Sequence, residues 1–375
     1  MTEIYLIRHT QAEGNQFRMM QGQWDGGVTP LGFRQIEALK ERFAHIPIDA
    51  VYSSDLTRTR LTASAVTVPH HLPLHTLKAL REINLGPWET LFFANIIHDE
   101  PEQMQRFIRD PEHWHLDGAE SYQEVTERAY PALEEIARRH DGQTVVVVSH
   151  GVTIRCLLSK ITGVRLNETD RLPIARNTAV SKLLWDGECF TAVYINDSSH
   201  LDGMNLPSWS STADLRHEVF DPATDRAYYE RCYEDAWIAA HGSTAGFASG
   251  LYYSAALEHH RDHPGAVLKI YNKDEAVGLV DLDTRRGAHA LYGWISLLYL
   301  KPDSRRKGYG AQLLGRAVQV YRELGRRSIR LHVARDNSAA LAFYQHHGFT
   351  LLGEDKSSGA ELLLMEKNLG GTEHA

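Results

Sequence analysis

Residues 144–148, Thr-Val-Val-Val-Val, narrow what this chain can fold into more than any other stretch. A run of β-branched side chains with no helical stripe and no alternation makes a strand that needs apolar cover on both faces. Sheets covered on both faces are mostly parallel, with helices packed above and below. Residues 4–7, Ile-Tyr-Leu-Ile, repeat the pattern, and residues 49–54 read as a further strand. Helical patterns fall between them. Thr29 caps and Pro30 opens a helix carrying Ile36, Leu39 and Phe43, and residues 55–66 form the helix fed by the second strand. Ser121 with Glu124 three residues on is a capping box, opening a helix on Val125, Ala129, Leu133 and Ile136, which Pro131 is expected to kink. An apolar helix of Ile154, Leu157 and Leu158 follows the valine run. The first half is therefore expected to be α/β, a mostly parallel sheet flanked by helices on both faces.

The strand ends carry the chemistry. Arg8-His9 follows the first strand and Ser149-His150-Gly151 follows the valine run. Open α/β sheets take their ligands beyond the carboxyl ends of the strands, so Arg8, His9, Arg58 and His150 are expected to converge at one edge. Fixed positive charge, fork geometry and a nucleophilic imidazole suit a phosphoryl group.

Composition sets the outer limits. A chain of 375 residues points to two domains, and a net charge of −8 argues against nucleic acid or an anionic membrane as partner. Cys156, Cys189 and Cys232 are scattered without metal spacing and read as reduced thiols of a cytoplasmic protein. There is no signal pattern and no apolar run long enough to span a bilayer. Partners are expected to be small molecules, with no metal required and homo-oligomerisation left open.

Five segments then occur in order: Leu-Ile-Arg8-His9-Thr, Ser53-Ser54-Asp55-Leu-Thr-Arg58, Leu80-Arg-Glu82-Ile-Asn-Leu-Gly86-Pro-Trp88-Glu89, Gly118-Ala-Glu120-Ser121 and Val-Ser149-His150-Gly151. Together they resemble the histidine phosphatase superfamily, in its compact phosphatase branch rather than among the mutases. The resemblance implies His9 as a nucleophile that becomes phosphohistidine. It implies Arg8, Asn15, Arg58 and His150 as phosphate holders, and Glu82 as the acid and base, with Glu89 a competing carboxylate. Two departures stand out. The family usually has Gly where this chain has Thr10 and Thr90, and both are expected to reshape the pocket rim. Residues 92–114 fall where the family places its substrate cover.

Residues 203–213, with Gly203, Pro207 and a Ser-rich run, read as a linker between domains at 1–202 and 214–369, and residues 370–375 as a flexible tail. Beyond the seam come a strand at 215–220, helices at 225–240 and 246–260, and strands at 266–271, 276–283 and 292–300. The basic loop Arg305-Arg306-Lys307-Gly308-Tyr309-Gly310 then leads into a helix on Leu314, Ala317, Val318 and Tyr321. A strand, a glycine-containing basic loop and a helix N-terminus can cradle a pyrophosphate. With Val333, Asn337, Ala340, Tyr344, Gly348 and Phe349 downstream, the segment is similar to the GNAT acetyltransferases, a mixed α/β fold that binds acetyl-CoA. The resemblance implies cofactor contacts from Arg305, Arg306, Lys307, Gly308, Tyr309, Gly310 and Ala311, from the backbone of Leu298, Tyr299 and Leu300, and from Asn337. Tyr344 would protonate the departing thiolate. Asp281, Asp283 and His332 are weak candidates for the acceptor's base, each read as structural or solvent-facing, and the base is left unassigned. His259-His260-Arg-Asp262-His263 reads as a solvated helix end rather than a metal site.

Overall fold

The computed structural model describes residues 1–173, 175–206, 212–355 and 361–370. The middle of the expected linker, 207–211, and nearly all of the expected tail, 371–375, lie outside the described residues. The chain divides into two compact units. One takes Met1–Asn15, Met19–Leu91 and Ile96–Leu206; the other takes Gln16–Arg18, Phe92–Asn95 and the described residues from 212 onward.

In the first unit the valine run forms β4 (Thr144–Ser149) at the middle of a six-stranded sheet. Its companions are β1 (Thr2–Arg8), β2 (Ala50–Ser53), β3 (Leu74–Thr76), β5 (Val180–Trp185) and β6 (Phe190–Asp197). Their order is β3-β2-β4-β1-β5-β6, parallel from β3 to β1 and antiparallel at β5 and β6. Alternation sends Val145 and Val147 to one face, where they join Ile4, Leu6, Ala129, Leu133, Ile154 and Leu157. Val146 and Val148 go to the other face, with Tyr5, Ile7, Ile36, Leu39, Phe43 and Val66. All four valines are fully buried, each contributing about 1.5–3 kcal/mol. The helices that cover the faces begin as the sequence predicts. The Thr29 hydroxyl accepts from the Gly32 N–H, and Ser121 and Glu124 form the capping box. The helix Tyr122–Arg139 runs through Pro131 as one element. Pro131 is exposed, and the carbonyl it deprives of a donor belongs to exposed Glu127, where water can serve.

The second unit holds a seven-stranded mixed sheet made of β7 (Arg216–Val219), β8 (Val267–Asn272), β9 (Glu275–Asp283), β10 (Tyr292–Leu300), β11 (Ser328–Ala334), β12 (Phe349–Asp355) and β13 (Leu362–Asn368). The order is β12-β13-β11-β10-β9-β8-β7, antiparallel except between β10 and β11. That parallel pairing covers only Tyr292↔Ser328, Gly293↔Ile329 and Trp294↔Arg330. Beyond it β10 pairs with β9 alone and β11 with β13 alone, and β10 carries a bulge between Ile295 and Leu297. The two strands diverge there. The helix Gly310–Glu323 buries Leu313, Leu314, Ala317, Val318 and Tyr321. The helices Arg226–His241 and Ser249–Asp262 supply Tyr229, Cys232, Tyr253 and Ala256 to a core shared with Phe220, Leu279 and Leu297.

Candidate active sites

The parallel register Arg8↔Ser149 places His9 and His150 side by side, each one residue past its strand. Their rings lie 5.2 Å apart, centroid to centroid. His9 Nδ1 is 2.6 Å from the Thr10 carbonyl oxygen. A carbonyl only accepts, so Nδ1 carries the proton and Nε2 keeps its lone pair. Burial, with Arg58 and Arg8 close by, holds the His9 imidazole well below its usual range, so the ring stays neutral. The Asn177 side-chain amide donates to the His9 carbonyl at 2.9 Å and fixes the main chain beneath the ring.

Arg58 is fully buried, donating to the Trp24 carbonyl at 2.9 Å and the Gly22 carbonyl at 2.7 Å, and burial pulls it down to about 10. Arg8 donates to the Ala175 carbonyl and is also lowered, by burial. His150 is fully buried with its Nε2 2.8 Å from the Ser54 hydroxyl; burial, then Arg58, lowers it well below the usual range. The Nε of Arg8, the Nε of Arg58 and the Nδ1 of His150 are buried without a hydrogen-bond partner among the described residues. Two cations and an imidazole left in that condition fit an anion.

Glu82 reaches this cluster from the other side. Its carboxylate accepts from the N–H groups of Val152 and Thr153, each at 3.1 Å, at the start of the helix Gly151–Thr162. It is the strongest opposing charge felt by both Arg8 and Arg58. Glu89, which also acts on Arg58 as an opposing charge, is held differently. Its Oε1 accepts from the Gln23 N–H at 2.7 Å and the Leu85 N–H at 3.3 Å, bracing loop backbone. The Asn15 side-chain oxygen accepts from the Ala12 N–H at 3.0 Å.

Thr10 differs from expectation. It is fully buried, with its hydroxyl donating to the Gly32 carbonyl at 2.6 Å and its N–H to Thr62, so it braces a helix and does not line a rim. Sequence reasoning also passed over Arg128. This residue pairs with Glu120 at 2.7 Å and donates to the carbonyls of Ala79, Arg81 and Glu82 at 2.8–3.0 Å. The segment that carries Glu82 is clipped by that one fork. A basic residue at the exposed rim of a helical pattern gave no local signal of it.

In the second unit the basic loop turns twice through the left-handed region, at Arg306 (φ 60°) and Gly308 (φ 78°), before Tyr309 and the helix that starts Gly310, Ala311. Left- and right-handed residues in succession turn N–H groups to one side, a form suited to phosphate oxygens. Arg305 donates to the Leu300 carbonyl at 2.9 Å, and Lys307 is exposed. Leu298 and Leu300 are half-buried on β10, while Tyr299 sends its hydroxyl to Asp235 at 2.7 Å. Asn337 caps the helix Ser338–His346, its side-chain oxygen accepting from the Ala340 N–H. A Cβ on Gly310 would lie 2.8 Å from the Phe343 ring, so that helix lies against the loop. Tyr344 packs between Phe343 and Phe349, and burial pushes its hydroxyl up, which keeps it protonated.

One expectation beside the acceptor candidates changes. His259 is not a solvated residue. It is buried, with Nδ1 2.7 Å from Asp281 and Nε2 3.6 Å from Asp283, and these carboxylates raise it, against burial, to about 9. Asp281 is buried and also accepts from the Tyr229 hydroxyl at 2.7 Å. The group is a closed ion triad. Among the described residues no helix is long and apolar enough to cross a membrane.

Residues 4–198 match the family model of the histidine phosphatase superfamily (branch 1), and residues 220–349 that of the acetyltransferase (GNAT) family. Phosphoserine phosphatase 1 of Hydrogenobacter thermophilus is 32% identical over 168 residues, covering 45% of this chain and 80% of the relative. The protein called "Probable phosphoglycerate mutase GpmB" in Escherichia coli O1:K1 is 30% identical over 211 residues, covering 55% of this chain and 98% of that one. Among solved structures, Bacillus stearothermophilus YhfR matches with a TM-score of 0.52 at 30% identity, over 54% of this chain and 100% of its own.

Proposed function

The chain belongs to the histidine phosphatase superfamily (branch 1), and from that premise we propose that its first unit hydrolyses a phosphomonoester through a phosphohistidine at His9. The observation that carries the reading is the His9 ring: proton held on Nδ1 by the Thr10 carbonyl, neutral, with Nε2 left to attack phosphorus. Arg8, Arg58, His150 and Asn15 hold the phosphoryl oxygens and stabilise charge that spreads over them in the transition state. Glu82 gives a proton to the leaving oxygen, then takes one from the water that cleaves the phosphohistidine. A chromogenic phosphomonoester, quenched in acid and alkali, tests this directly. Label should sit on His9 in an acid-labile bond, and His9→Ala should lower phosphate release by about 10³-fold or more. Near-normal hydrolysis by His9→Ala sinks the assignment. The relative named as a phosphoglycerate mutase motivates a second reading, which holds if a bisphosphate loads His9 and the phosphoryl group passes back to a monophosphate rather than to water.

The second unit matches a family that uses acetyl-CoA, and we infer acetyl transfer to an amine. Backbone N–H groups from Arg306 to Ala311, with Arg305 and Lys307 beside them, would hold the pyrophosphate. The Leu298, Tyr299 and Leu300 backbone would flank the pantetheine arm, Asn337 would contact the cofactor, and Tyr344 would protonate the thiolate. Isothermal titration with acetyl-CoA and an acetylation assay of Tyr344→Phe check this: binding retained with transfer lost is the expected pair. Binding with no transfer by wild type to any amine would instead favour a sensor that regulates the phosphatase. The fusion supports a shared small-molecule pathway, which fails if no phosphorylated amine is turned over by both activities and neither product feeds the other. Free Cys156, Cys189 and Cys232 are in keeping with a reducing, cytoplasmic setting.

A further inference from the structure

The acceptor amine arrives as an ammonium and must lose a proton before its lone pair can attack a thioester. The carboxylates nearest the core do not serve. Asp281 and Asp283 are both taken up by His259, and buried Asp281 also takes the Tyr229 hydroxyl. His332 stands differently. It lies on β11 two residues past Arg330, which is the last β11 residue paired with β10. Alternation puts it on the same face as Arg330 and its partner Trp294. The His332 ring meets the Trp294 ring edge-on at 4.8 Å, and its Nε2 is 3.2 Å from Asp355 Oδ2. Its side chain is 20% exposed, so solvent and ligand can reach it.

The divergence of β10 and β11 fixes what this position faces. Strands that part leave unpaired backbone groups on both sides of a slot, where an extended amide-bearing chain can add as a strand does. The phosphate-binding loop follows directly on β10, so a pantetheine arm running back along β10 spans from Leu300 toward the bulge at Ile295–Leu297, about 10–17 Å of strand. On the acetyltransferase reading, the thioester would lie near the point where the strands rejoin, beside Trp294 and His332.

We propose that His332, oriented by Asp355, is the general base that takes the proton from the acceptor amine. The assignment rests on the acetyltransferase reading. The Asp355 carboxylate 3.2 Å from Nε2 favours the tautomer with its proton there, which leaves Nδ1 as the accepting nitrogen. The charged groups around the ring are Asp355 on β12, Arg286 from the turn after β9 with its guanidinium 3.3 Å over Trp294, and the Arg330–Glu366 pair at 2.8 Å. Burial lowers the imidazole, Asp355 opposes and Arg286 adds to the lowering, so His332 is neutral at pH 7 while His259 is a cation. Nδ1 takes one proton from the ammonium; the amine nitrogen bonds the acyl carbon; the carbon–sulfur bond breaks and sulfur takes the Tyr344 hydroxyl proton. The surplus proton of the new amide nitrogen passes through water to Tyr344, and His332 releases its own to solvent. The net change is one amide and one thiol from one ammonium and one thioester, with one proton released.

The full-length chain tests this with three measurements. Calorimetry with acetyl-CoA should give the wild-type affinity for His332→Ala and for Asp355→Asn. Against a panel of primary amines and lysine peptides, His332→Ala should lose about 10²-fold or more in kcat/KM at pH 7 and recover toward high pH as the free amine appears. Asp355→Asn should lower kcat without weakening acetyl-CoA. Histidine ¹⁵N spectra should show His332 protonated on Nε2 at pH 7, with that tautomer lost in Asp355→Asn. Unchanged kcat/KM and pH profile in His332→Ala, or an Nδ1–H tautomer, overturns the base while leaving acetyl transfer standing. Wild type that binds acetyl-CoA but acetylates no panel member overturns it as well. Failure of wild type to bind acetyl-CoA overturns the acetyltransferase reading and the base together.

Discussion

Thr90 holds a left-handed backbone, φ 69°, which a β-branched residue reaches only with strain, and it does so where the resembled family has glycine. Its N–H donates to the Met20 carbonyl at 2.8 Å, so backbone pairing holds the turn. Thr90→Gly is expected to raise stability by up to about 1 kcal/mol, read as a higher urea midpoint, because relief of strain outweighs the added freedom of the unfolded chain. His9 and His150 set a different single-residue effect. Both are held neutral well below the usual histidine range, by burial first and Arg58 next. Below about pH 6.5 the unfolded chain therefore binds protons that the folded chain refuses. Their contribution is complete above that pH and is lost as pH falls toward the folded values. Urea midpoints at pH 7.5 and pH 5 should show the drop, and His150→Gln should make it shallower. Thr10 and Thr90 looked alike in the sequence, each a threonine in place of a family glycine. Only packing separates them, since nothing local tells that one hydroxyl meets the Gly32 carbonyl and the other residue closes a left-handed turn.

At the scale of elements, the fork of Arg128 connects the helix Tyr122–Arg139 to the segment that carries Glu82. Arg128→Ala leaves three carbonyls without that donor, and a cost of about 1–3 kcal/mol is expected. A fall in phosphatase kcat larger than any rise in KM would mark it as a positioning residue, and Arg128→Lys should not restore kcat, because an ammonium cannot span the carbonyls and Glu120 at once. Gly293 makes a second element-scale case. A Cβ there would stand 2.2 Å from the buried Tyr321 ring, so Gly293→Ala should destabilise the sheet–helix contact by about 1–3 kcal/mol, read from chemical denaturation. The elements that bear the sites were legible because each has a strong local pattern: the valine run, Thr29-Pro30, the Ser121–Glu124 box, and the basic loop before an amphipathic helix. The hairpin of β12 and β13 was not, since Leu351 and Leu352 are adjacent, exposed and break the alternation that marks a strand. His259 was misread for a related reason. A His-rich helix end resembles solvated structure, and the carboxylates that enclose it come from β9, the nearer of them 22 residues further on.

For the whole molecule, the thiols give a test that needs no substrate. Cys156 and Cys232 are buried and pushed up to about 12 by burial, while Cys189 is exposed and raised by Asp186. Titration with a disulfide reagent should find one accessible thiol in the native chain and three in denaturant; three fast thiols without denaturant would contradict the packing around Cys156 and Cys232. The register that sets His9 beside His150 has a last consequence, for the order of events in folding. The phosphatase centre exists only after β1 has found β4, and its backbone is tied down by Asn177, 168 positions from His9. Contacts of that separation close late and slowly. On dilution from denaturant, helical circular dichroism should therefore return well ahead of phosphate release, and the enzyme will report its own topology as a lag before the first turnover.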